Sequence, residues 1–196
     1  MQIAIKMIVV FMVLLVAGFL LGRGCQTQLT ALRKTGQTNV TLIPQRTDTW
    51  CWAACGEMVT TRYGRPVSQC QQVADKTGYE DCCGEDIPSH CMVLGTPRLA
   101  KYGIDSRTAF GTPLSPDQLR SELVDNSAPI ITAWLPSHAN QHVAVLSGYT
   151  ESNGELLLLL DDPSPPNTGS ETWITYEQYA HPTNAVHQYD IHEIRP

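Results

Sequence analysis

The pattern of apolar residues changes near residue 128, and this change restricts the chain to folds with a helical first half and a stranded second half. In residues 50–63, apolar or small side chains recur at helical spacing, at positions 52, 55, 56, 59 and 63. After residue 128, short apolar runs predict strands at 128–134, 143–149, 156–160, 172–176 and 186–194. The sequence therefore predicts the α+β class, with a helical N-terminal lobe, an antiparallel-sheet C-terminal lobe and a cleft between them.

Caps and turns mark the ends of several predicted elements. Asp48 or Thr49 can cap the first helix, and Gly64 can end it in a left-handed conformation. Asn153-Gly154 predicts a hairpin turn between two of the strands. Two further helices are predicted, at 68–76 and 116–124.

Composition excludes several classes of protein. The chain has 196 residues, of which 42% are apolar and 16% charged, and its formal net charge is −6. This length fits one globular domain. Because the chain is acidic and its longest basic run is the pair Arg33-Lys34, we do not expect nucleic acid as a partner.

Residues 1–24 have the pattern of an export signal or a membrane anchor. A weakly basic start precedes Met7–Leu21, a run in which every residue is apolar or glycine. Cleavage, retention as an anchor and lipidation at Cys25 all fit this pattern. Residues 25–42 are polar and predict a linker, and residues 43–196 are expected to form the domain. The protein is therefore expected to be exported, and to be secreted, periplasmic or attached to a membrane through residues 1–24.

Five cysteines between residues 55 and 91 are expected to form disulfides, because disulfides persist in oxidising compartments. They are Cys55, Cys70, Cys82, Cys83 and Cys91. A bond between the adjacent Cys82 and Cys83 would be strained, so each is expected to pair elsewhere, and one of the five can stay free. The alternative is a zinc site formed by Cys82, Cys83, His90 and Cys91. Adjacent ligands lack the spacing that converges on one ion, so we expect no metal.

Cys51 has the position expected of a nucleophile. It stands in the first turn of the helix predicted at 50–63, where unpaired N–H groups and the helix dipole stabilise a thiolate. His142 opens the strand predicted at 143–149, and a neutral imidazole there can take the thiol proton. His138 is the alternative base, but it lies in a loop and is held less firmly. The pair of Cys51 and His142 predicts nucleophilic catalysis.

A carboxylate is expected to orient the His142 imidazole. With a four-residue loop at 151–154, the hairpin register places His142 opposite Pro163, and a single bulge would bring Asp162 into that position. The same uncertainty of one residue leaves Asp161 open as the orienting group. We favour Asp162.

Gln45 is the candidate for stabilising an oxyanion. It lies six residues before Cys51. A side-chain amide at this distance can turn back so that its NH₂ group and the backbone N–H of Cys51 receive the oxyanion of a tetrahedral intermediate.

In order and spacing, these residues resemble those of the papain-like cysteine peptidases. That family shares the order of a glutamine, a Cys-Trp pair six residues later, a histidine that opens a strand and an orienting side chain on the next strand. The sequence is most similar to compact bacterial members, namely bacteriocin-leader peptidases and secreted or effector papain-like proteases. The matching features are Cys51 to Ala54, the short hairpin from His142, and Asp162-Pro163.

The resemblance covers roughly residues 43–180 and implies a papain-like fold, a thioester acyl-enzyme and no metal or other cofactor. It implies a nucleophile, a base, an orienting group and an oxyanion donor at Cys51, His142, Asp162 and Gln45, respectively. Two features depart from the papain pattern. The Cys-Gly pair upstream of the nucleophile is missing, and Asp162-Pro163-Ser164 stands in place of Asn-Ser-Trp.

These residues predict an exported cysteine peptidase that acts on a protein or peptide substrate. One alternative keeps the same residues for other acyl chemistry, such as amide hydrolysis in cell-wall peptides, deamidation or acyl transfer. Another is a non-catalytic binding domain held together by disulfides, which is expected if Cys51 itself is disulfide-bonded. The sequence does not specify the oligomeric state or the residues at the cleavage point.

Overall fold

The computed structural model describes residues 35–152 and 154–196, which form an α+β fold. Its elements are β1 (Thr35–Gln37), α1 (Cys51–Arg62), α2 (Gln69–Thr77), β2 (Asp105–Phe110), α3 (Pro116–Arg120), β3 (Ile130–Pro136), β4 (His142–Ser152), β5 (Glu155–Asp162), β6 (Ser170–Thr175), α4 (Tyr176–Ala180) and β7 (Ala185–Arg195). The predicted α+β class is confirmed. Among the described residues, no helix has the length and apolar character needed to span a bilayer.

The seven described strands form one antiparallel sheet in the order β2-β7-β3-β4-β5-β6. β1 pairs with the distal part of β4, at Thr150, Tyr149 and Gly148, while β3 pairs with the proximal part of β4. The strand predictions after residue 128 correspond to β3–β7. β1 and β2 were not predicted, because neither carries an apolar alternation; every residue of β2 except Ala109 is exposed.

The predicted linker at 25–42 extends too far toward the domain, since residues 35–42 belong to the fold. β1 joins the sheet, and Thr38 is fully buried, with its backbone N–H donating to the Ser147 carbonyl at 2.9 Å. Val40 and Leu42 pack against the core that surrounds α1. The polar composition of residues 35–42 wrongly indicated a linker. In the fold, strand pairing and buried hydrogen bonds satisfy the polar groups of this segment. Residues 1–34, with the predicted export segment, lie outside the described residues.

α1 is the helix on which the site is built. It spans Cys51–Arg62 and is buried on most sides. Gly64 has a φ of +71°, as predicted for the end of this helix. The predicted caps are wrong: Trp50 occupies the capping position, and no side chain caps the helix. The first N–H groups of α1 are therefore left without the partner that a side-chain cap would supply.

The sheet separates two apolar cores. Along β4, Val143 and Val145 belong to the cluster that contains α1, while Ala144 and Leu146 belong to the cluster that contains α3 and α4. This division follows from the alternation of side chains along a strand. It places the helix of Cys51 on one face of the sheet and the two short helices on the other.

Two disulfides hold the segment that follows α2. Cys82 is bonded to Cys91, and Cys83 is bonded to Cys70 on α2. The adjacent Cys82 and Cys83 thus pair elsewhere, as predicted, and Cys55 stays free. All four of these cysteines are in disulfides, so the disulfide prediction is confirmed for them.

Asp190 on β7 anchors a buried polar cluster, and its loss should destabilise the fold. Its Oδ2 accepts from the Tyr179 hydroxyl at 2.6 Å and the Leu114 N–H at 3.2 Å, and lies 3.1 Å from Nε2 of His187. We expect Asp190→Ala to lower the free energy of unfolding by about 3 kcal/mol, because the buried Tyr179 hydroxyl loses its acceptor and the buried His187 loses the carboxylate beside it. Urea denaturation measures this change. Asp105→Ala on the exposed strand β2 is the control, and an equal loss in both variants would contradict the prediction.

Candidate active site

Cys51 is the first residue of α1 and lies nearly buried, with 3% of its surface exposed. It takes part in neither disulfide. Its sulfur lies 3.8 Å from the carbonyl oxygen of Gln141, the residue just before β4. The start of β4 therefore lies against the N-terminus of α1, where the helix dipole and the free N–H groups favour a negative charge.

The two tryptophans beside Cys51 fix the start of the helix. Nε1 of Trp50 donates to the Cys91 carbonyl at 2.7 Å, and Nε1 of Trp52 donates to the Val93 carbonyl at 3.0 Å. Both rings are buried. Because Cys91 is in a disulfide, the N-terminus of α1 is tied to a cross-linked segment, which restrains the position of the Cys51 sulfur.

The structure brings His142 together with Asp162 and Cys51. Nε2 of His142 lies 2.8 Å from Oδ1 of Asp162. The same oxygen accepts the backbone N–H of Ser164 at 2.8 Å, which orients the carboxylate. Cys51 also acts on this imidazole, since its proximity helps to raise the pKa of His142. Because Asp162 occupies Nε2, the other ring nitrogen, Nδ1, is the one left for the sulfur.

The hairpin register explains why Asp162 rather than Asp161 reaches the imidazole. Ser152 pairs with Glu155, so the predicted four-residue loop is wrong, and both strands run further toward the turn. A bulge near Ser147 then shifts the register, and Val145 pairs with Asp161. The next residue, Asp162, comes level with Ala144 at the end of β5, close to the start of β4, and its Oδ1 reaches Nε2 of His142.

Burial raises the pKa of two groups beside the candidate site, Asp161 and Cys55. Burial raises the pKa of Asp161 to about 6. Burial also raises the pKa of the Cys55 thiol well above its usual value, with further contributions from Cys51 and the two aspartates. Cys55 therefore stays a protonated thiol, and of the two free cysteines described, Cys51 has the environment of a nucleophile.

The pKa of His142 is raised to about 10. Burial alone would lower it, but hydrogen bonds to Asp162 and Cys51, and the charges of these groups, outweigh the effect of burial. The imidazole is therefore favoured as imidazolium up to about pH 10, next to the sulfur. His138, the alternative base, is exposed in the turn between β3 and β4.

Gln45 is held against the segment that follows Asp162. Its backbone N–H donates to the Pro163 carbonyl, and its own carbonyl accepts from the Asn167 N–H, each at 2.9 Å. Gln45 is 3% exposed, and its side-chain oxygen has no hydrogen-bond partner among the described residues. The loop after Asp162 thus connects the orienting carboxylate to the candidate oxyanion donor.

The sequence analysis did not identify Gln69, because no local sequence pattern distinguishes it. In the structure, Gln69 contacts the residues on both sides of Gln45.

A comparison with protein families identifies the chain's relatives. The Peptidase_C39 like family matches residues 37–189, which cover most of the sequence. The chain belongs to this family. Membership confirms the resemblance to papain-like cysteine peptidases of the bacteriocin-leader type, and at the level of the family it makes the chain a cysteine peptidase, a hydrolase. No curated protein matches the chain.

For this member of the Peptidase_C39 like family, removing the charge of Asp162 should narrow the pH range of activity. In Asp162→Asn, the amide keeps a hydrogen bond to His142 but loses the charge that favours the imidazolium. We expect the alkaline limb of the rate profile to move down by about 1 to 3 pH units. A pH series of peptide hydrolysis rates measures the shift. Asp161→Asn is the matched control, and an alkaline limb that moves equally in both variants would contradict this role of Asp162.

Proposed function

We propose that the chain is an exported cysteine peptidase that hydrolyses peptide bonds with Cys51 as nucleophile, His142 as acid and base, and Asp162 as the orienting group. One observation carries this proposal: the Cys51 sulfur at the start of α1 lies 3.8 Å from the carbonyl oxygen of Gln141, and the next residue, His142, has its Nε2 2.8 Å from Oδ1 of Asp162. In a two-lobed papain-like arrangement, α1 and the strand ends would line a cleft that admits the substrate.

The reaction begins from a Cys51 thiolate and a His142 imidazolium, the pair formed when the thiol proton passes to the imidazole. The sulfur attacks the substrate carbonyl, and the negative charge that develops on its oxygen is received by the Cys51 backbone N–H and the Gln45 amide. The C–N bond then breaks as His142 protonates the leaving amine, which leaves a thioester on Cys51. Water, deprotonated by His142, attacks the thioester and releases the acid product and the thiol.

Asp162 has two effects in this scheme. Its hydrogen bond fixes the plane of the His142 ring, so that the other nitrogen faces the sulfur. Its charge stabilises the imidazolium that forms when Cys51 loses its proton. The Ser164 N–H holds the carboxylate in place, which keeps this geometry without a further side chain.

Two observations support export. The run Met7–Leu21 has the composition of an export signal or an anchor. The disulfides Cys70–Cys83 and Cys82–Cys91 are stable in oxidising compartments and rare in the cytosol. The protein is proposed to be secreted, periplasmic or attached to a membrane through residues 1–24.

The products formed from two substrates test the proposed reaction. The purified protein is incubated with casein and with peptidoglycan, and the products are identified by mass spectrometry. We expect new N-termini in casein, because hydrolysis of a peptide bond releases an amine. Products from peptidoglycan alone would favour a cell-wall amidase, and conversion of glutamine to glutamate without cleavage would favour a deamidase. Cys51 is free, so the disulfide that would have favoured the non-catalytic alternative is not formed.

A further inference from the structure

Gln69, the first residue of α2, holds the main chain on both sides of Gln45 with its side-chain amide. Oε1 of Gln69 accepts the Arg46 backbone N–H at 2.9 Å, and Nε2 donates to the Pro44 carbonyl at 2.9 Å. Nε2 also donates to Oε2 of Glu57 on α1 at 3.1 Å. Gln69 is 2% exposed, so these bonds form away from solvent.

The three bonds fix the orientation of the Gln69 amide. The partners of Nε2 are a carbonyl and a carboxylate, which only accept, and the partner of Oε1 is a backbone N–H, which only donates. Rotating the amide by 180° would therefore break all three bonds. Leaving such groups unpaired in a buried site is costly, so this side chain is held in one orientation.

The Gln45 side chain depends on this main-chain framework. The backbone of Gln45 bonds to Pro163 and Asn167 on one side, while Gln69 binds the adjacent residues on the other. The Gln45 side-chain oxygen itself has no partner among the described residues. The direction of its NH₂ group is therefore set through the main chain of residues 44–46.

We propose that Gln69 is a positioning residue for the oxyanion site, acting through Gln45; this inference rests on the proposed function of Cys51 and Gln45. Gln69 has no contact with the reacting atoms in this scheme. By binding Pro44 and Arg46, it holds the main chain from which the Gln45 amide extends. A small displacement of a positioned donor is sufficient to lower the rate of reaction strongly.

A double-mutant cycle with Gln45 distinguishes positioning from general stability. On a fluorogenic peptide built around a bond cleaved in casein, we expect Gln69→Ala to lower kcat by about tenfold to 100-fold, mainly without a change in KM. In a Gln45→Ala background, the same substitution should lower kcat by less than about twofold, because the group it positions is gone. An equal loss in both backgrounds would overturn the proposal.

Alkylation of Cys51 by iodoacetamide provides a second measurement. Alkylation uses the thiolate but forms no tetrahedral oxyanion, so we expect Gln69→Ala and Gln45→Ala to leave its rate unchanged. A general loosening of α1 would instead change alkylation and hydrolysis together. A parallel fall in both rates in Gln69→Ala would therefore contradict a role confined to the oxyanion site.

Gln72, one turn further along α2, is the matched control. It is also 2% exposed, and its Nε2 donates to the carbonyls of Ala53 and Val67, each at 2.9 Å. Gln72→Ala removes a comparable buried amide without touching residues 44–46. We expect it to lower stability while its small effect on kcat stays the same in both Gln45 backgrounds. A Gln72 cycle as non-additive as that of Gln69 would contradict the proposal.

Gln69→Glu gives a test that does not depend on Gln69→Ala folding. Its ionised carboxylate faces the Pro44 carbonyl and the Glu57 carboxylate, whereas the protonated form can donate again. We expect the ratio of wild-type to variant kcat to fall as the pH is lowered, and a constant ratio would count against the proposal.

Cys51→Ala separates the proposed function from the positioning role of Gln69. Retained hydrolysis in Cys51→Ala refutes the proposed function. Abolished hydrolysis in Cys51→Ala, together with an additive Gln69 cycle, refutes only the positioning role.

Discussion

Replacing Cys51 with alanine is expected to reduce peptide hydrolysis by about 10⁴-fold or more, because the substitution removes the nucleophile and the route through a thioester. The variant should keep its fold, since Cys51 is in no disulfide and the two tryptophans beside it keep their hydrogen bonds. Hydrolysis of casein by equal amounts of wild-type and variant protein measures the loss.

Cys55→Ala is the matched control for this prediction. Cys55 is the other free cysteine of the described chain, lies one turn along α1 and is fully buried. Because its thiol stays protonated, its removal should leave kcat within about threefold of the wild-type value. Equal losses in the two variants would show that the thiol of Cys51 has no special role.

His142→Ala is expected to lower kcat by about 10²-fold to 10⁴-fold, the usual contribution of a positioned acid and base. In this variant, Cys51 loses the group that takes its proton, and the leaving amine loses its proton donor. The residual rate should depend on hydroxide and rise with pH. A pH series of hydrolysis rates on the fluorogenic peptide measures both effects.

His138→Ala provides the comparison, since His138 was the alternative base in the sequence. It is exposed in the turn before β4, so its removal should change kcat by less than about twofold. A larger loss in His138→Ala than in His142→Ala would reverse the assignment of the base.

Local sequence patterns predicted the positions of Cys51 and His142, because each depends on where a single helix or strand begins. Cys51 follows from the start of a helix, whose boundaries the apolar spacing marks to within one residue. His142 follows from the first position of a strand, which the structure places as predicted. Both predictions require knowledge of one element at a time.

Asp162 shows where this kind of inference loses accuracy. The hairpin loop was expected to have four residues, but the strands continue to Ser152 and Glu155, and the bulge near Ser147 then compensates in part. A bulge, which the sequence analysis had invoked, offsets part of the error in loop length and leaves Asp162 within reach of His142. A register depends on turn geometry and bulges together, and one residue of error moves a side chain to the other face of the sheet.

Features that depend on distant pairing were not predictable from local patterns. β1 pairs with residues more than a hundred positions away in the chain, and its sequence, Thr35-Gly36-Gln37, has no apolar alternation. Gln69 is a further example, because its importance arises only when α2 packs beside residues 44–46. Buried polar side chains of this kind become recognisable once their hydrogen bonds are known.

The rate of Cys51 alkylation by iodoacetamide at pH 6, in wild-type protein and in His142→Ala, tests the central claim most directly. Peptide mapping identifies the labelled cysteine. If the imidazolium of His142 stabilises the Cys51 thiolate, wild-type Cys51 should react more than about tenfold faster than the same cysteine in the variant. Equal rates in the two proteins would contradict the account, since Cys51 would then be an ordinary buried thiol beside an unrelated histidine.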